Sequence, residues 1–293
     1  MRAARLHELG GAPRVDDIEP PAAAEGLVHV SAAALNPVDV SIANGRFYGG
    51  TPEVPYVVGS EVVGTTGDGR RVWVRQRESM AELVAPTSWQ FEVPEGVSDG
   101  LALACGIAGL TGWLAVSWRV RVGSGDVVLV LGASGTVGGT VVQGAKLLGA
   151  RVIGAARNVE GVPAAADEVV ALDADADLPP ANVIVDGLWN EPLERALAVA
   201  EPGVRVVHLG QSAGPTATLR SDWVRGKNAD IHGHSVFAAP EEIAREGYRE
   251  LCEHAREGRI AFGLEHYPLE AVDAAWARQA SGSPRAKIVV DFG

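Results

Sequence analysis

A glycine-rich turn is the part of this sequence whose residue types and spacing most directly indicate chemistry. The segment LGASGTVGG (131–139) lies between a continuous apolar run and a stretch with helical spacing, the context in which a dinucleotide-binding turn is found. Gly135 and Gly138 hold the last two glycine places of that motif, and Ala133 replaces the first. A glycine at 135 lets backbone amides approach a pyrophosphate, and one at 138 lets helix and strand pack closely. The predicted dinucleotide contacts are Ser134, Gly135, Thr136, Val137 and Gly138. The alternative is a tight turn that binds no ligand.

The residue after the next predicted strand, Arg157, indicates which dinucleotide is bound. NAD sites usually carry Asp or Glu about 20 residues beyond the glycines. Here Arg157 follows Gly138 by nineteen residues, and no carboxylate stands at the strand end. Because a guanidinium pairs bidentately with phosphate, the sequence predicts NADP(H) as cofactor in preference to NAD(H). The alternative is an ordinary solvated arginine.

The elements that must position this turn alternate between strand and helix, which is typical of an α/β, doubly wound parallel sheet. The predicted strands are 126–132, 151–156, 182–188, 204–210 and 229–236, and the predicted helices are 136–150 and 191–201. Residues 157–181 are interrupted by Pro163 and by Pro179 with Pro180. Since proline breaks helices, we expect at least one crossover to shorten to a loop or a single turn.

The segments on either side of this α/β region have a different pattern of apolar and turn-forming residues. Residues 1–100 contain short apolar runs separated by Gly, Pro, Asn and Asp, which predicts short antiparallel strands. A long apolar helix is predicted within 94–116, capped by Ser98 or Asp99. Residues 240–258 predict an amphipathic helix, and 286–292 predict a final strand.

Composition excludes several function classes. The 293 residues carry a net charge of −12 with a pI near 5.1, so nucleic acid is a poor partner. Two cysteines build neither a disulfide scaffold nor a four-thiolate zinc site, which favours a reduced, cytoplasmic setting. No apolar leader segment and no run of 18 apolar residues occurs, so neither a signal peptide nor a membrane span is expected.

Five segments together resemble one known family, the medium-chain dehydrogenase/reductase superfamily on its zinc-independent quinone oxidoreductase-like branch. They are LNPVDVSIANGRFYGGTPEVPYVVGSEVVG (35–64), AGLTGWLAV (108–116), VLVLGASGTVGGTVVQGAKLLGARVIGAAR (128–157), HLGQSAG (208–214) and AKIVVDF (286–292). The resemblance implies a Rossmann sheet inserted into a GroES-like, partly open β-barrel domain, with the active site in the cleft between the domains. The expected division is 1–98 and 239–293 for the GroES-like domain and 99–238 for the Rossmann domain. The branch also implies a homodimer paired through a sheet edge.

The chain departs from the zinc enzymes of this superfamily, which carry an early Cys and a Gly-His-Glu motif. The matching stretches read NPVD (36–39) and GSE (59–61). Asp39 and Glu61 alone do not make a catalytic set of about three ligands, so no metal is expected. The chain is also shorter than most relatives near 66–82 and 157–181, which puts cofactor contacts there in question.

The resemblance implies three catalytic candidates. Tyr48 matches a tyrosine at the substrate site, whose phenol would donate to a developing oxyanion or relay a proton. Asn36 matches a polar position that faces the nicotinamide, and Asp39 would orient one of these or contact the ribose. The structural alternatives are a turn former for Asn36, a loop aromatic for Tyr48 and a helix cap for Asp39.

Further cofactor contacts are expected from residues at strand ends and at one helix start. Thr111 matches a family position near the nicotinamide, and its alternative role is a bond within its helix. Two loops should border the cofactor because they follow parallel strands at their carboxyl ends. These loops contribute Gly210 and Gln211 from the first, and Ser235 and Phe237 from the second. Lys287 and Arg285 are interpreted as solvated charges rather than phosphate contacts. His232 and His234 are interpreted as ordinary strand histidines rather than a metal-binding pair.

Three functions remain open from the sequence. The first is reduction of a small molecule, a quinone or an enone, with NADPH. The second is a catalytically silent NADP(H)-binding sensor or partner module. The third is an enoyl-thioester reductase, which would need a basic mouth for its substrate's phosphates; only RRVWVRQR (70–77) offers one.

Overall fold

The computed structural model describes residues 1–22, 26–86, 89–173, 176–282 and 286–293. Arg285 therefore lies outside the described residues. The chain forms two compact units, the first of residues 1–108, 248–257 and 262–293, and the second of residues 109–247 and 258–261. The first unit thus extends ten residues past the predicted boundary at 98, and the second continues nine residues past 238.

The strands are β1 (Arg2–Leu6), β2 (Arg14–Asp17), β3 (Val28–Leu35), β4 (Tyr56–Val57), β5 (Glu61–Thr66), β6 (Arg71–Arg75), β7 (Leu83–Val84), β8 (Gln90–Glu92), β9 (Val127–Leu131), β10 (Arg151–Ala156), β11 (Glu168–Ala171), β12 (Val183–Asp186), β13 (Arg205–His208), β14 (Asp230–Gly233), β15 (Gly263–Pro268) and β16 (Ala286–Asp291). The helices are α1 (Pro37–Ala43), α2 (Asp99–Ala104), α3 (Leu110–Leu114), α4 (Thr136–Leu147), α5 (Asn190–Val199), α6 (Ser221–Val224), α7 (Glu241–Arg256) and α8 (Val272–Ala280).

The first unit is built on two β-sheets. Its larger sheet has the order β15-β16-β3-β5-β6-β8, with β7 also paired to β3, and every pairing except β15 with β16 is antiparallel. The smaller sheet has the order β2-β1-β4. Aliphatic side chains of β3, β5 and β16, together with Trp276 of α8, are buried in one core. Burial of these apolar side chains is the main force holding the sheets together.

The second unit contains one six-stranded parallel sheet with the order β11-β10-β9-β12-β13-β14. This is the 3-2-1-4-5-6 order of a dinucleotide-binding fold, whose direction reverses between β9 and β12. The continuous apolar sequences of β9 and β10 fit strands covered on both faces. Ligands of such sheets bind beyond the carboxyl ends of the strands at the reversal, so the fold places the 131–139 turn at the expected edge.

Residues 157–181 hold more structure than the sequence predicts. The crossover from β10 does shorten, to the single 3-10 turn Val159–Gly161. It then leads into β11 (Glu168–Ala171), a strand that the sequence analysis missed. The strand escaped notice because it is only four residues long, and an apolar run as short as Val169–Ala171 does not separate a strand from other structure.

A helical stretch of 21 residues, Asp99–Arg119, joins the two units in sequence. It begins where predicted, because Leu101 N–H donates to Ser98 Oγ at 3.3 Å. By length and composition alone it qualifies as a membrane span, but 83% of its apolar window is buried inside the protein, as in a core helix. Gly106 interrupts the helical backbone with a ψ of −134°. A Cβ there would lie 2.1 Å from Glu61 Oε2, so only glycine fits beside that carboxylate.

Candidate functional site

The turn after β9 has the geometry of a phosphate-binding loop. Gly132 adopts a φ of +86°, a left-handed conformation that favours glycine. Gly132 and Ala133 each donate their N–H to Ala155 O of β10, at 2.9 and 3.1 Å. A Cβ on Gly138 would lie 2.2 Å from Gly132 O. Gly138 therefore permits the close contact of helix and turn that the sequence analysis assigned to it.

The start of α4 is suited to an anion. Gly135 is its N-cap and provides no capping side chain, and the first turn contains no acidic residue. Ser134 and the first-turn residues Thr136 and Val137 are partly exposed. A helix start presents free N–H groups and a partial positive charge. A dinucleotide pyrophosphate therefore fits this turn, with the backbone amides at the start of α4 as its donors.

Arg157 stands one residue beyond β10, on the same sheet edge as the turn, and its side chain is exposed. Among the described residues it has no hydrogen bond or ion pair. Arg151, at the opposite end of β10, is by contrast paired to Glu168 at 2.7 Å. Arg157 thus offers an uncommitted guanidinium at the strand end, where a 2′-phosphate would be recognised.

The loops after β13 and β14 lie at this same edge, since parallel strands end together. Gly210 lies against the backbone after β12, because its Cβ would be 3.2 Å from Gly187 O, and the neighbouring Gln211 is exposed. Ser235 precedes a 3-10 turn, and Phe237 within that turn is half-buried.

Thr111 of α3 is brought to the loop after β14. Its backbone hydrogen-bonds the His234 imidazole. Burial, followed by the charge of Arg119, lowers the pKa of His234 to about 4. His234 lies just past the end of β14, with Nε2 buried and without a hydrogen-bond partner.

The carboxyl ends of β12 and β13 carry a pair that the sequence analysis missed, Asp186 and His208. His208 Nδ1 lies 3.1 Å from Asp186 Oδ2, and Asp186 is fully buried. Its side chain also accepts the backbone N–H of Leu188 at 2.9 Å and of Trp189 at 3.0 Å. The available signal was a polar residue two positions before the end of each of two predicted strands, 182–188 and 204–210.

A buried polar cluster lies within the first unit around Glu61 of β5. Lys287 Nζ donates to Glu61 Oε1 at 2.6 Å and to Asn36 Oδ1 at 2.5 Å, and Asn36 Nδ2 donates to Glu61 Oε1 at 2.9 Å. The second carboxylate oxygen accepts Trp73 Nε1–H and Ile107 N–H, both at 2.8 Å. The interpretation of Lys287 as a solvated charge was wrong, since it is 3% exposed. Sequence alone could not reveal its carboxylate partner, which is 226 residues away.

Asp39 adjoins this cluster as the third residue of α1. It accepts Asn36 N–H at 2.7 Å as the third helical residue of a capping box whose N-cap is Asn36, and it also accepts the Ser60 hydroxyl. Burial raises the pKa of Asp39 to about 6, against the lowering effect of these hydrogen bonds and of Lys287. The pKa of nearby Tyr56 rises to about 12, through burial and then the Asp39 charge. Asn36 and Asp39 are thus buried together, at 2% and 3% exposure.

Tyr48 occupies a different environment from Asn36 and Asp39. It is 85% exposed on the loop after α1, with its ring centroid 4.5 Å from that of Phe47. The Arg77 guanidinium lies 4.9 Å from the Phe47 ring centroid, and its Nη2 donates to Gly49 O at 3.3 Å. The phenol is therefore accessible to a ligand, and Arg77 holds the loop that carries it.

The remaining histidines and cysteines show no arrangement for metal chemistry. In the part of the chain that the structure describes, no three His, Cys, Asp or Glu side chains come together to hold a metal ion. Cys105 and Cys252, 147 residues apart in sequence, hydrogen-bond to each other in the first unit, and burial raises the pKa of Cys105. A raised thiol pKa disfavours the reactive thiolate, which agrees with the interpretation of Cys105 as a small buried hydrophobe.

Comparison with known proteins finds relatives that are dehydrogenases or quinone oxidoreductases. A family model described as zinc-binding dehydrogenase matches residues 164–290. The quinone oxidoreductase of Mus musculus is 31% identical over 92% of this chain and 91% of its own length. A structure of the quinone oxidoreductase from Thermus thermophilus, determined also as its NADPH complex, is 25% identical with a TM-score of 0.84 over all of both chains. A mycobacterial quinone oxidoreductase has a TM-score of 0.88 at 24% identity, also over all of both chains. These matches confirm the Rossmann sheet with a GroES-like β domain.

Proposed function

Because the chain belongs to the quinone oxidoreductase-like branch of the medium-chain dehydrogenase/reductase superfamily, we propose that it is an NADPH-dependent oxidoreductase. Its substrate is a quinone or the C=C bond of an α,β-unsaturated carbonyl compound. The observation that carries the proposal is the glycine turn at 132–138, which leads into the uncapped start of α4, with the uncommitted Arg157 on the same sheet edge. Names of relatives support the reaction class, and the site residues support the choice of cofactor.

The second unit's residues would hold the cofactor. Amides of Ser134–Gly138 would bind the pyrophosphate, and Arg157 would bind the 2′-phosphate. Further contacts are proposed from Thr111, Gly210, Gln211, Ser235 and Phe237. A bound NADPH supplies hydride chemistry, which the protein directs by position and electrostatics.

The polar groups proposed to act on the substrate come from the first unit. Reduction of an enone would require one hydride at the β-carbon and one proton for the enolate that results. The exposed Tyr48 phenol would donate to the developing oxyanion or relay that proton. Asn36 and Asp39 are proposed as supporting groups, since their side chains are already engaged within the buried cluster.

Zinc independence is part of the proposal and rests on donor chemistry. The Glu61 oxygens accept hydrogen bonds from Lys287, Asn36, Trp73 and Ile107. A carboxylate engaged by these donors, with no Cys or His beside it in the 59–61 segment, does not resemble a catalytic zinc site. The cytoplasmic location and the homodimer likewise remain predictions.

The test is oxidation of NADPH and NADH with a panel of quinones, enones and enoyl thioesters, before and after chelator dialysis. Arg157→Ala should weaken NADPH binding by about 10- to 100-fold, since it removes a bidentate ionic contact, and leave NADH binding unchanged. Arg151→Ala is the matched control, an arginine at the opposite end of β10 that is already paired to Glu168. Tyr48→Phe should reduce turnover more than it changes NADPH affinity.

Several outcomes would contradict the proposal. Equal affinity for both dinucleotides, unaffected by Arg157→Ala, would refute the choice of NADPH. NADPH binding without turnover on any substrate would favour a silent binding module. Turnover confined to enoyl thioesters would favour the thioester reductase, and activity lost to the chelator and restored by zinc would refute zinc independence.

A further inference from the structure

The pair of Asp186 and His208 lies at the ligand-binding edge of the parallel sheet. The two residues end neighbouring strands and pair directly with each other in register. Asp186 also pairs in register with Leu131, the last residue of β9 before Gly132 of the glycine turn. Leu188 contacts that turn, because a Cβ on Gly132 would lie 3.2 Å from Leu188 Cδ2. The pair and the turn therefore lie at the same carboxyl edge of the sheet, on either side of the strand-order reversal between β9 and β12.

Hydrogen bonding fixes the orientation of the His208 ring. Asp186 already accepts two backbone N–H groups, so it acts as an acceptor and His208 Nδ1 carries the proton of their bond. Trp189 lies against the imidazole with ring centroids 4.1 Å apart. Trp189 and Asn190 adopt φ values of +62° and +56°, a costly conformation for side chains of this size and one often found at functional sites.

The other ring nitrogen is left for a ligand. The His208 side chain is 27% exposed, and Nε2 has no hydrogen-bond partner among the residues that the structure describes. With Nδ1 protonated, Nε2 of the neutral ring is an acceptor. A matching ligand group is an O–H or N–H donor.

The strand order assigns that donor to one half of the dinucleotide. In a doubly wound sheet each half of the strand order holds one nucleotide. Arg157 and the glycine turn belong to the β9–β11 half and suit the 2′-phosphoadenosine end. The β12–β14 half, which carries His208, is left for the nicotinamide nucleoside.

We propose that His208, oriented by Asp186, accepts a hydrogen bond from the nicotinamide nucleoside of the bound cofactor, through a ribose hydroxyl or the carboxamide N–H. His208 is thus a cofactor-positioning residue in the half of the site without glycine-loop contacts. The inference rests on the proposed function, since it needs a dinucleotide at this edge.

The test compares two probes by titration calorimetry: NADPH and 2′,5′-ADP, which lacks the nicotinamide half. His208→Phe should weaken NADPH binding about tenfold, the effect of one hydrogen bond, and leave 2′,5′-ADP binding within about twofold. His208→Gln, whose amide oxygen can accept, should recover part of the loss. His232→Phe is the matched control, a half-buried histidine on the adjacent strand β14.

A second readout is the imidazole tautomer in the cofactor-free protein, measured by 15N NMR. We expect the Nδ1–H form at His208, and a shift of the Nε2 resonance when NADPH is added. Unchanged NADPH affinity in His208→Phe, or an equal loss for both probes, would overturn the inference alone. Failure of the wild-type protein to bind either probe would overturn the proposed function and this inference with it.

Discussion

Asp39 and His234 should give the two units opposite dependences of stability on pH. Asp39 is a buried acid whose pKa is raised to about 6. His234 is a buried base whose pKa is lowered to about 4. Asp39 lies in the first unit and His234 in the second. The perturbations are Asp39→Asn and His234→Gln, each of which removes one titrating group and leaves a side chain of similar size.

The sign for Asp39 follows from proton binding. Between its ordinary value of 3.8 and about 6, the folded form holds a proton that the unfolded chain has lost. The contribution of Asp39 to the free energy of unfolding is therefore fully present below pH 3.8, and it is lost as the pH rises through about 6. A difference of about two pKa units corresponds to about 3 kcal/mol. The groups facing Asp39 are Lys287, which favours its charged form, and Glu61, which opposes it.

The sign for His234 is the reverse. Between pH about 4 and the ordinary pKa of 6.5, His234 binds a proton in the unfolded chain but not in the folded protein. Stability is full above 6.5 and is lost as the pH falls toward about 4, again by about 3 kcal/mol. The facing charge is Arg119, which disfavours protonation. The two effects overlap in pH and oppose each other, so the wild-type protein shows little of either in a single global transition.

The assay is urea unfolding of wild type and both variants at a series of pH values across this window. Relative to wild type, Asp39→Asn should gain stability as the pH rises from 3.8 to about 6, while His234→Gln should lose it from about 4 to 6.5. If unfolding occurs in two steps, each variant should alter only the step of its own unit. A stability difference between variant and wild type that stays flat across the window would refute the assigned protonation states.

The remaining predictions concern glycine contacts and the buried ion pair. Gly138→Ala should abolish NADPH binding, because the added Cβ would lie 2.2 Å from Gly132 O. Gly125→Ala is the control, since a Cβ there would have no atom within 4 Å, and calorimetry measures NADPH binding by both variants. Unaltered binding in Gly138→Ala would show that the turn is not the pyrophosphate site. Lys287→Met should cost about 3–5 kcal/mol, since it leaves the Glu61 carboxylate buried without its cation, and adding Glu61→Gln should restore part of that loss in urea unfolding. A cost below about 1 kcal/mol, typical of exposed pairs, would mean that the pair is hydrated.

Sequence alone predicted what local pattern controls. Alternating apolar strands and helical spacing gave the doubly wound sheet, and the run from 126 to 156 gave its strand, turn and helix nearly to the residue. The glycine turn was readable because its function depends on backbone shape, which a few neighbouring residues determine. The resemblance to a family supplied the β domain and the candidates Asn36, Asp39 and Tyr48, which no periodicity would have identified.

Tertiary structure decided which distant polar groups meet. Lys287 and Glu61, 226 residues apart, form a buried pair, and Asp186 with His208 become a dyad only because β12 and β13 lie side by side in register. The same folding buries Asn36 while leaving Tyr48 at the surface. Burial and pairing depend on contacts between residues remote in the chain, so local sequence patterns do not predict them. The conformation of a turn or helix depends on neighbouring residues, so the sequence alone predicts it.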